Sequence, residues 1–159
     1  MMSGMAVKNG WTGRLYGDFE VGDVYVHPLG RTILAADNAW FTLLTMNTNP
    51  IHFDQNYATK TEFGKLLINS CLTLAIVTGQ SVTDLSQNAA ANLAWDEIRL
   101  PNPVFEGDTI YARSEVLEKR SGPTCRRSSF IPSESRSSRR WALMDLMVEL
   151  ISFLGKAGW

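Results

Sequence analysis

The chain has 159 residues, of which 45% are hydrophobic and 19% are charged, values typical of one globular domain with a sizeable core. Its formal net charge of -1 gives no general attraction to nucleic acid or to an anionic membrane, so neither is expected as a partner. Two cysteines far apart do not make a disulfide framework, and neither a secretory leader nor a membrane-spanning run is recognisable. The cytoplasm is therefore the expected location.

The first part of the chain predicts a short hairpin followed by a short helix. A β-branched run from Val24 turns and returns from Arg31, which indicates two strands. Residues 35–47 have helical periodicity, with Asp37 as the expected N-cap. The apolar face of this helix carries Trp40, Leu43 and Leu44. The helix must end before Pro50, because proline disfavours a helical conformation of the residue that precedes it.

The middle of the chain predicts one long helix and two strands. Residues 68–82 are apolar around the whole helical circumference, so a helix there is expected to be buried on all sides. Residues 92–100 and 109–119 alternate with period two, as strands do. This order predicts an α+β domain in which a long buried central helix is wrapped by a curved antiparallel sheet.

The character of the sequence changes after Cys125. Residues 126–140 are rich in Ser and Arg without a strand period, so no regular structure is expected there. Residues 142–154 predict an amphipathic helix, because their polar residues fall on one helical face. These polar residues are Asp145, Glu149 and Ser152. We therefore expect a domain at 1–125 and an atypical segment at 126–159.

The loop TMNTNPIHFDQNYA contains His52, one of two histidines in the chain. Asn47 and Asn49 precede it, and Pro50 stiffens the turn. One interpretation is that the asparagines are ordinary turn formers and that the histidine is packed and hydrogen-bonded. The other is a catalytic base on a loop held by a rigid scaffold, the setting in which catalytic residues concentrate. The residues alone leave both interpretations open.

The longer stretch FTLLTMNTNPIHFDQNYA resembles the signature of the (R)-specific enoyl-CoA hydratases, the MaoC-like dehydratases of the hotdog fold. The matching positions are Phe41, Leu44, Thr45, Asn49, Pro50, Ile51, His52 and Ala58. The resemblance covers residues 17–122. It implies a hotdog fold and a homodimer. The family has two further strands after residue 122, and they are expected to be missing or replaced here because this chain has Ser- and Arg-rich sequence in their place.

The resemblance also implies an activity and a set of site residues. The family adds water to a 2-enoyl-CoA or removes it from a 3-hydroxyacyl-CoA, so a hydratase or dehydratase of fatty acid metabolism is expected. Asn47 and His52 occupy the catalytic positions, and Asn49 with the helix start at Asn69 and Ser70 is expected to bind the acyl-CoA substrate. Imidazole suits a base near neutrality, and helix-start N–H groups stabilise an enolate oxygen. No cofactor or metal is expected beyond the coenzyme A of the substrate.

Two residues depart from the family signature. Met46 stands where the family has glycine, and Asn47 stands where it has the catalytic aspartate. Because an amide can orient water but cannot take its proton, His52 would be the sole base. Three outcomes stay open: a working hydratase, one tuned to a branched or dicarboxylic acyl-CoA, and a non-catalytic acyl-CoA-binding subunit. A hotdog thioesterase is the rival enzyme, although it usually needs a carboxylate at this place.

The Ser- and Arg-rich segment at 126–140 also has two interpretations. It is either a divergent extension or a stretch read in a shifted frame, in which valine codons of a GC-rich gene become serine and arginine codons. An adjacent frame that encodes an alternating valine-rich strand would support the shift, and the absence of one would exclude it.

Overall fold

A computed structural model describes residues 8–89, 97–120 and 145–154, together with residues 6, 91, 92 and 95. Its elements are two short strands, three helices and two long strands, with 3₁₀ turns at Tyr16–Asp18 and Pro50–His52. The elements are β1 (Val24–Val26), β2 (Arg31–Thr32), α1 (Ala35–Leu44), α2 (Gln55–Ala58), α3 (Ser70–Ser81), β3 (Thr109–Arg120) and β4 (Asp145–Leu154).

Strand β3 is the centre of the described sheet, because β1, β2 and β4 each pair with it in antiparallel fashion. Strand β4 pairs along residues 110–120, so the two short strands share the opposite edge. Alternate residues of β3 are buried, which confirms the predicted period of two. The buried set is Ile110, Ala112, Ser114 and Val116. The two short strands and the predicted long strand are confirmed. The predicted hairpin is wrong, because β1 and β2 both run antiparallel to β3 and do not pair with each other.

The N-cap of helix α1 lies three residues earlier than expected. Asp37 is not the N-cap; Leu34 is, and the Asp37 carboxylate accepts a hydrogen bond from the Leu34 N–H at 2.9 Å. Arg31 donates two hydrogen bonds to the same carboxylate. The buried residues of α1 are Asn38 and Thr42. Its apolar face is exposed in this chain, with Trp40, Leu43 and Leu44 each at least 60% accessible.

Helix α3 is the central helix, and it packs on β3 through an apolar core. This core joins Ile33, Ile68, Leu72, Val77, Val104, Ile110 and Ala112. One stripe of the helix is exposed, although its composition predicted burial on all sides. The stripe consists of Cys71, Ala75 and Gly79, spaced four residues apart. A π-helical turn, Val82–Ser86, continues the helix and places Leu85 in a second apolar cluster with Phe19 and Val116.

Two predicted elements are wrong. The described residues between 92 and 100 form no strand. Residues 145–154 form β4 rather than part of a helix. Asp145 and Glu149 lie four residues apart, and that spacing fits one face of a strand as well as one face of a helix. The segment forms a strand because pairing along the long edge of β3 satisfies the backbone N–H and C=O groups of both strands.

The expectation of no regular structure at 126–140 lies outside the described residues, as do residues 142–144 of the predicted helix. The division of the chain into 1–125 and 126–159 stays a prediction.

Candidate functional site

Helix α1 ends in a Schellman motif, which sets the direction of the following loop. The Met46 N–H donates to the Leu43 carbonyl, and the Asn47 N–H donates to the Thr42 carbonyl at 3.0 Å. Met46 holds the left-handed position of the motif, with φ of 56°. Glycine is the usual residue at this position, because it lacks the Cβ that crowds the left-handed backbone. The geometry therefore explains why glycine suits this place in the signature.

Two asparagine turns follow the Schellman motif. The Asn47 Oδ1 accepts a hydrogen bond from the Asn49 N–H at 3.0 Å, and the Asn49 Oδ1 accepts one from the Ile51 N–H at 3.2 Å. Asn49 is the N-cap of the 3₁₀ turn, with Pro50 as its first residue. The extended backbone of Asn49 (ψ of 113°) is the conformation that a following proline enforces. The asparagines are therefore turn formers, and the turns present His52.

The ring of His52 is half-buried and held by one backbone oxygen. Its Nδ1 lies 2.8 Å from the carbonyl oxygen of Leu67. A carbonyl oxygen only accepts, so in the neutral ring the proton is on Nδ1 and the lone pair is on Nε2. His52 is thus hydrogen-bonded, as the first interpretation of the loop required. Among the described residues its Nε2 has no hydrogen-bond partner, as the second interpretation requires.

Asn38, from α1, joins the loop to the start of α3. Its Nδ2 donates to the carbonyl oxygens of His52 and Leu67, at 2.7 and 3.0 Å. Its Oδ1 accepts a hydrogen bond from the Asn69 N–H at 2.9 Å. The residue is 1% exposed and makes three of the four hydrogen bonds that an amide side chain can make.

The start of α3 retains one N–H donor among those expected to bind the substrate. The Asn69 N–H is taken by Asn38, so the expected donor at residue 69 is not available to a ligand. The Asn69 side chain is buried; its Oδ1 accepts from the Cys71 N–H at 3.0 Å, and its Nδ2 donates to Thr42. The Ser70 N–H has no hydrogen-bond partner within the described part of the chain. Ser70 is exposed at the positive end of the helix dipole.

The structure thus brings the predicted residues His52, Asn69 and Ser70 together. Leu67, which binds the His52 ring, precedes Ser70 by three residues, a reach of at most about 10 Å. Asn47 and Asn49 lie in the same loop, and their observed contacts are those of turns and caps. The sequence prediction missed Asn38. A signal existed, since asparagine is a poor residue for a helix interior and here shares the face of Thr42.

The second histidine, His27, belongs to a separate buried network. Its Nδ1 lies 2.9 Å from an Asp84 carboxylate oxygen, and its Nε2 lies 2.8 Å from the Ser114 hydroxyl. Burial alone would raise the pKa of Asp84, but the hydrogen bonds and charges of His27 and Arg14 outweigh it and lower that pKa. The order Ser–His–Asp resembles a nucleophilic triad, yet Ser114 is fully buried and His27 is 2% exposed. The network therefore stabilises the fold.

A cleft of about 530 Å³ lies beside the later turns of α3. Residues that line it include Leu29, Gly30, Ile76, Gly79, Gln80 and Thr83. Gly79 is roughly 13 Å along the helix axis from Ser70. None of the residues of the site around His52 lines the cleft. Within the described residues no group of three His, Cys, Asp or Glu side chains is placed to hold a metal ion, and no described helix is long and apolar enough to cross a membrane.

Comparison with known proteins gives a family and two curated relatives. Residues 18–128 match the MaoC like domain. The chain is 35% identical over 109 residues to a beta-methylmalyl-CoA dehydratase of Chloroflexus aurantiacus, covering 69% of this chain and 31% of the relative. It is 30% identical over 105 residues to a mesaconyl-CoA hydratase of Cereibacter sphaeroides, covering 66% of this chain and 31% of the relative. This chain thus spans less than half the length of either relative.

A solved structure shares the fold. The unliganded R-hydratase of Pseudomonas aeruginosa is 28% identical, with a TM-score of 0.58 over 67% of this chain and 66% of that chain. The expected α+β hotdog class, an antiparallel sheet with a central helix, is confirmed.

Proposed function

The chain belongs to the MaoC-like domain family, as its loop motif predicted, and on that premise we propose that it catalyses hydration of a 2-enoyl-CoA or the reverse dehydration of a 3-hydroxyacyl-CoA. The observation that carries the proposal is the hydrogen bond from His52 Nδ1 to the Leu67 oxygen. It fixes the tautomer and leaves Nε2 as a base on a half-buried ring.

In the proposed reaction, the oxygen of a water molecule bonds to C3 of the enoyl thioester while His52 Nε2 takes one proton of that water. The electron pair of the double bond moves to C2 and the thioester oxygen, which becomes an enolate. The imidazolium then returns the proton to C2, so that water has been added across the double bond. General-base catalysis of this kind contributes typically about 10²–10⁴ in rate.

Ser70 supplies the donor for the enolate oxygen. Its N–H is the first of α3, and the adjoining donors of Asn69 and Cys71 are already occupied by side chains. A preformed donor at a helix N-terminus favours negative charge where it develops, and its loss typically costs about 10²–10³ in rate. Asn47 orients the attacking water through its amide but does not take its proton. Asn49 contributes indirectly to substrate binding by holding the turn.

We also propose a branched or dicarboxylic acyl-CoA as the substrate class. The two curated relatives are a mesaconyl-CoA hydratase and a beta-methylmalyl-CoA dehydratase, and both names refer to a branched, dicarboxylic acyl group. The 3-hydroxybutyryl-CoA dehydratase of Methylorubrum extorquens is a more distant relative at 28% identity. No cofactor other than the coenzyme A of the substrate takes part.

The test is to follow the enoyl-thioester absorbance of crotonyl-CoA and mesaconyl-CoA with the purified protein, together with release of free thiol. Loss of enoyl absorbance without thiol release supports the proposal, and faster loss with mesaconyl-CoA supports the substrate class. Thiol release would indicate the thioesterase. Binding without turnover would indicate an acyl-CoA-binding subunit and would refute the proposed reaction.

We further propose that the protein is a homodimer in the cytoplasm. The support is the exposed apolar side of α1, where Trp40 is 68% and Leu44 75% accessible. Apolar patches of this kind commonly mark association surfaces. Sedimentation equilibrium should give twice the chain mass of 17.7 kDa. A monomer at all concentrations would contradict the proposal.

A further inference from the structure

Asn38 contacts every segment that forms the candidate site, although it lies on a different helix. It touches the His52 carbonyl in the loop, the Leu67 carbonyl that receives the His52 ring proton, and the Asn69 N–H at the start of α3. We propose that Asn38 is a positioning residue, which holds His52 in the Nδ1-protonated tautomer and keeps the loop in register with the Ser70 donor. This inference rests on the proposed function and identifies a residue that holds the proposed active site in place.

The geometry at Leu67 carries the argument. A carbonyl oxygen has two lone pairs, and here one accepts from Asn38 Nδ2 at 3.0 Å and the other from His52 Nδ1 at 2.8 Å. Asn38 therefore restricts the direction from which the imidazole can donate. The backbone also joins the two segments, since the Leu67 N–H donates to the Ile51 carbonyl at 3.1 Å.

Asparagine is the side chain that this arrangement needs. Two carbonyls require two donors, and the Asn69 N–H requires one acceptor. A neutral primary amide supplies both at one position, whereas an ionised carboxylate of the same shape lacks the donors. Its near-complete burial means that water cannot readily take over these hydrogen bonds if the amide is removed.

The contacts also explain how the position of the base is coupled to the oxyanion donor. The Asn38 Oδ1 holds the backbone immediately before Ser70, and the Asn38 Nδ2 holds the backbone of His52. A shift of the His52 backbone therefore also shifts the backbone before Ser70. Replacing Asn38 should for this reason lower the rate of the chemical step. Because Asn38 is buried and its hydrogen bonds are with backbone groups of the protein, substrate affinity should change little.

The experiment compares Asn38→Ala with Ser114→Ala. Ser114 is also fully buried, and its hydroxyl is hydrogen-bonded to His27 outside the site. Ser114→Ala therefore removes a buried polar contact, as Asn38→Ala does, without altering the site. With ¹⁵N-histidine labelling, the two histidines give two sets of ring-nitrogen signals, and His52→Ala assigns them. Turnover is measured below the melting temperature of every variant.

In Asn38→Ala we expect kcat to fall about tenfold or more with KM within about twofold, and the His52 signals to lose their Nδ1-protonated pattern. In Ser114→Ala, kcat and the His52 signals should stay as in the unaltered protein despite a lower melting temperature. An unchanged His52 tautomer in Asn38→Ala, or an equal loss of kcat in both variants, would overturn the inference.

Asn38→Asp is the second variant, in case the alanine variant does not fold. It keeps the volume and the acceptor for Asn69 but lacks the amide donors, so the same change in the His52 signals is expected. If the unaltered protein turns over no enoyl-CoA, the proposed function fails. The spectroscopic comparison still decides whether Asn38 holds His52.

Discussion

The Nδ1 atom of His52 lies 2.8 Å from the carbonyl oxygen of Leu67, fifteen residues further along the chain. This contact settles which nitrogen of the neutral ring keeps its proton, because the carbonyl cannot donate. It also settles which nitrogen is available to a substrate.

Replacing His52 by alanine should abolish most turnover while the fold survives. Loss of a general base lowers the rate about a hundredfold or more. The Leu67 carbonyl keeps its hydrogen bond from Asn38, so the loss of stability should be about 1 kcal/mol. Steady-state kinetics and thermal melting measure the two effects. Activity that falls only in proportion to the folded fraction would assign His52 a purely structural role.

Ser70→Pro offers a selective removal of the proposed oxyanion donor. Proline lacks the N–H but is favoured at the first position of a helix, and the preceding Asn69 already has ψ of 124°, which a following proline accepts. We expect kcat to fall about a hundredfold with little change in melting temperature.

The matched control is Ser70→Ala, which keeps the N–H and removes only an exposed hydroxyl. It should retain the turnover of the unaltered protein. If alanine is as damaging as proline, the side chain and not the backbone N–H is required.

Asn47→Asp should leave the protein active, with a rate equal to or above that of the unaltered chain. A carboxylate can still accept the hydrogen bond from the Asn49 N–H, and it adds a group able to take a proton. Asn47→Ala should lose both the turn contact and the water contact and should be slower. Comparing kcat for the two variants checks this, and an inactive aspartate variant beside an active alanine variant would contradict the assigned role.

Met46→Gly should stabilise the protein. Met46 is 86% exposed, so its side chain contributes little packing, and its φ of 56° costs about 1–2 kcal/mol for a residue with a Cβ. The greater freedom of glycine in the unfolded chain offsets part of this gain. Thermal melting should show an increase of a few degrees. A decrease would mean that the Met46 side chain makes contacts in the assembled protein.

Asp84→Asn should lower stability in a pH-dependent manner. The pKa of Asp84 is lowered in the folded protein, so its ionised form contributes stability above the unfolded value of about 3.9, and this contribution is lost as pH falls through the folded pKa. The gap in melting temperature between the two proteins should narrow as the pH falls below about 4. A gap that widens with acid would show that the charge of Asp84 does not stabilise the fold.

The loop and the place of its histidine could be predicted from the sequence, because Asn49, Pro50 and His52 lie close together in the motif. The proton position on His52 could not, since it depends on Leu67, which the motif does not contain. The start of α3 was predicted, but not that Asn38, 31 residues earlier, would take the Asn69 N–H. Residues 145–154 were predicted as helix because Asp145, Glu149 and Ser152 share one helical face, and the pairing with the neighbouring edge of β3, which makes the segment a strand, cannot be seen in that local pattern.

The hydrogen bonds that join Asn38, His52, Leu67 and Asn69 connect residues 14 to 31 positions apart. Those of His27 with Asp84 and Ser114 span 57 and 87 positions. Closing a short loop costs less entropy than closing a long one, and local contacts form faster during folding. The segment with the candidate site should therefore acquire its protection from hydrogen exchange before the His27 network does. During synthesis on the ribosome, Asn38, His52, Leu67 and Asn69 are all made before β3 (Thr109–Arg120), so an alteration of the chain after residue 109 changes strands of the sheet and leaves these four residues unchanged.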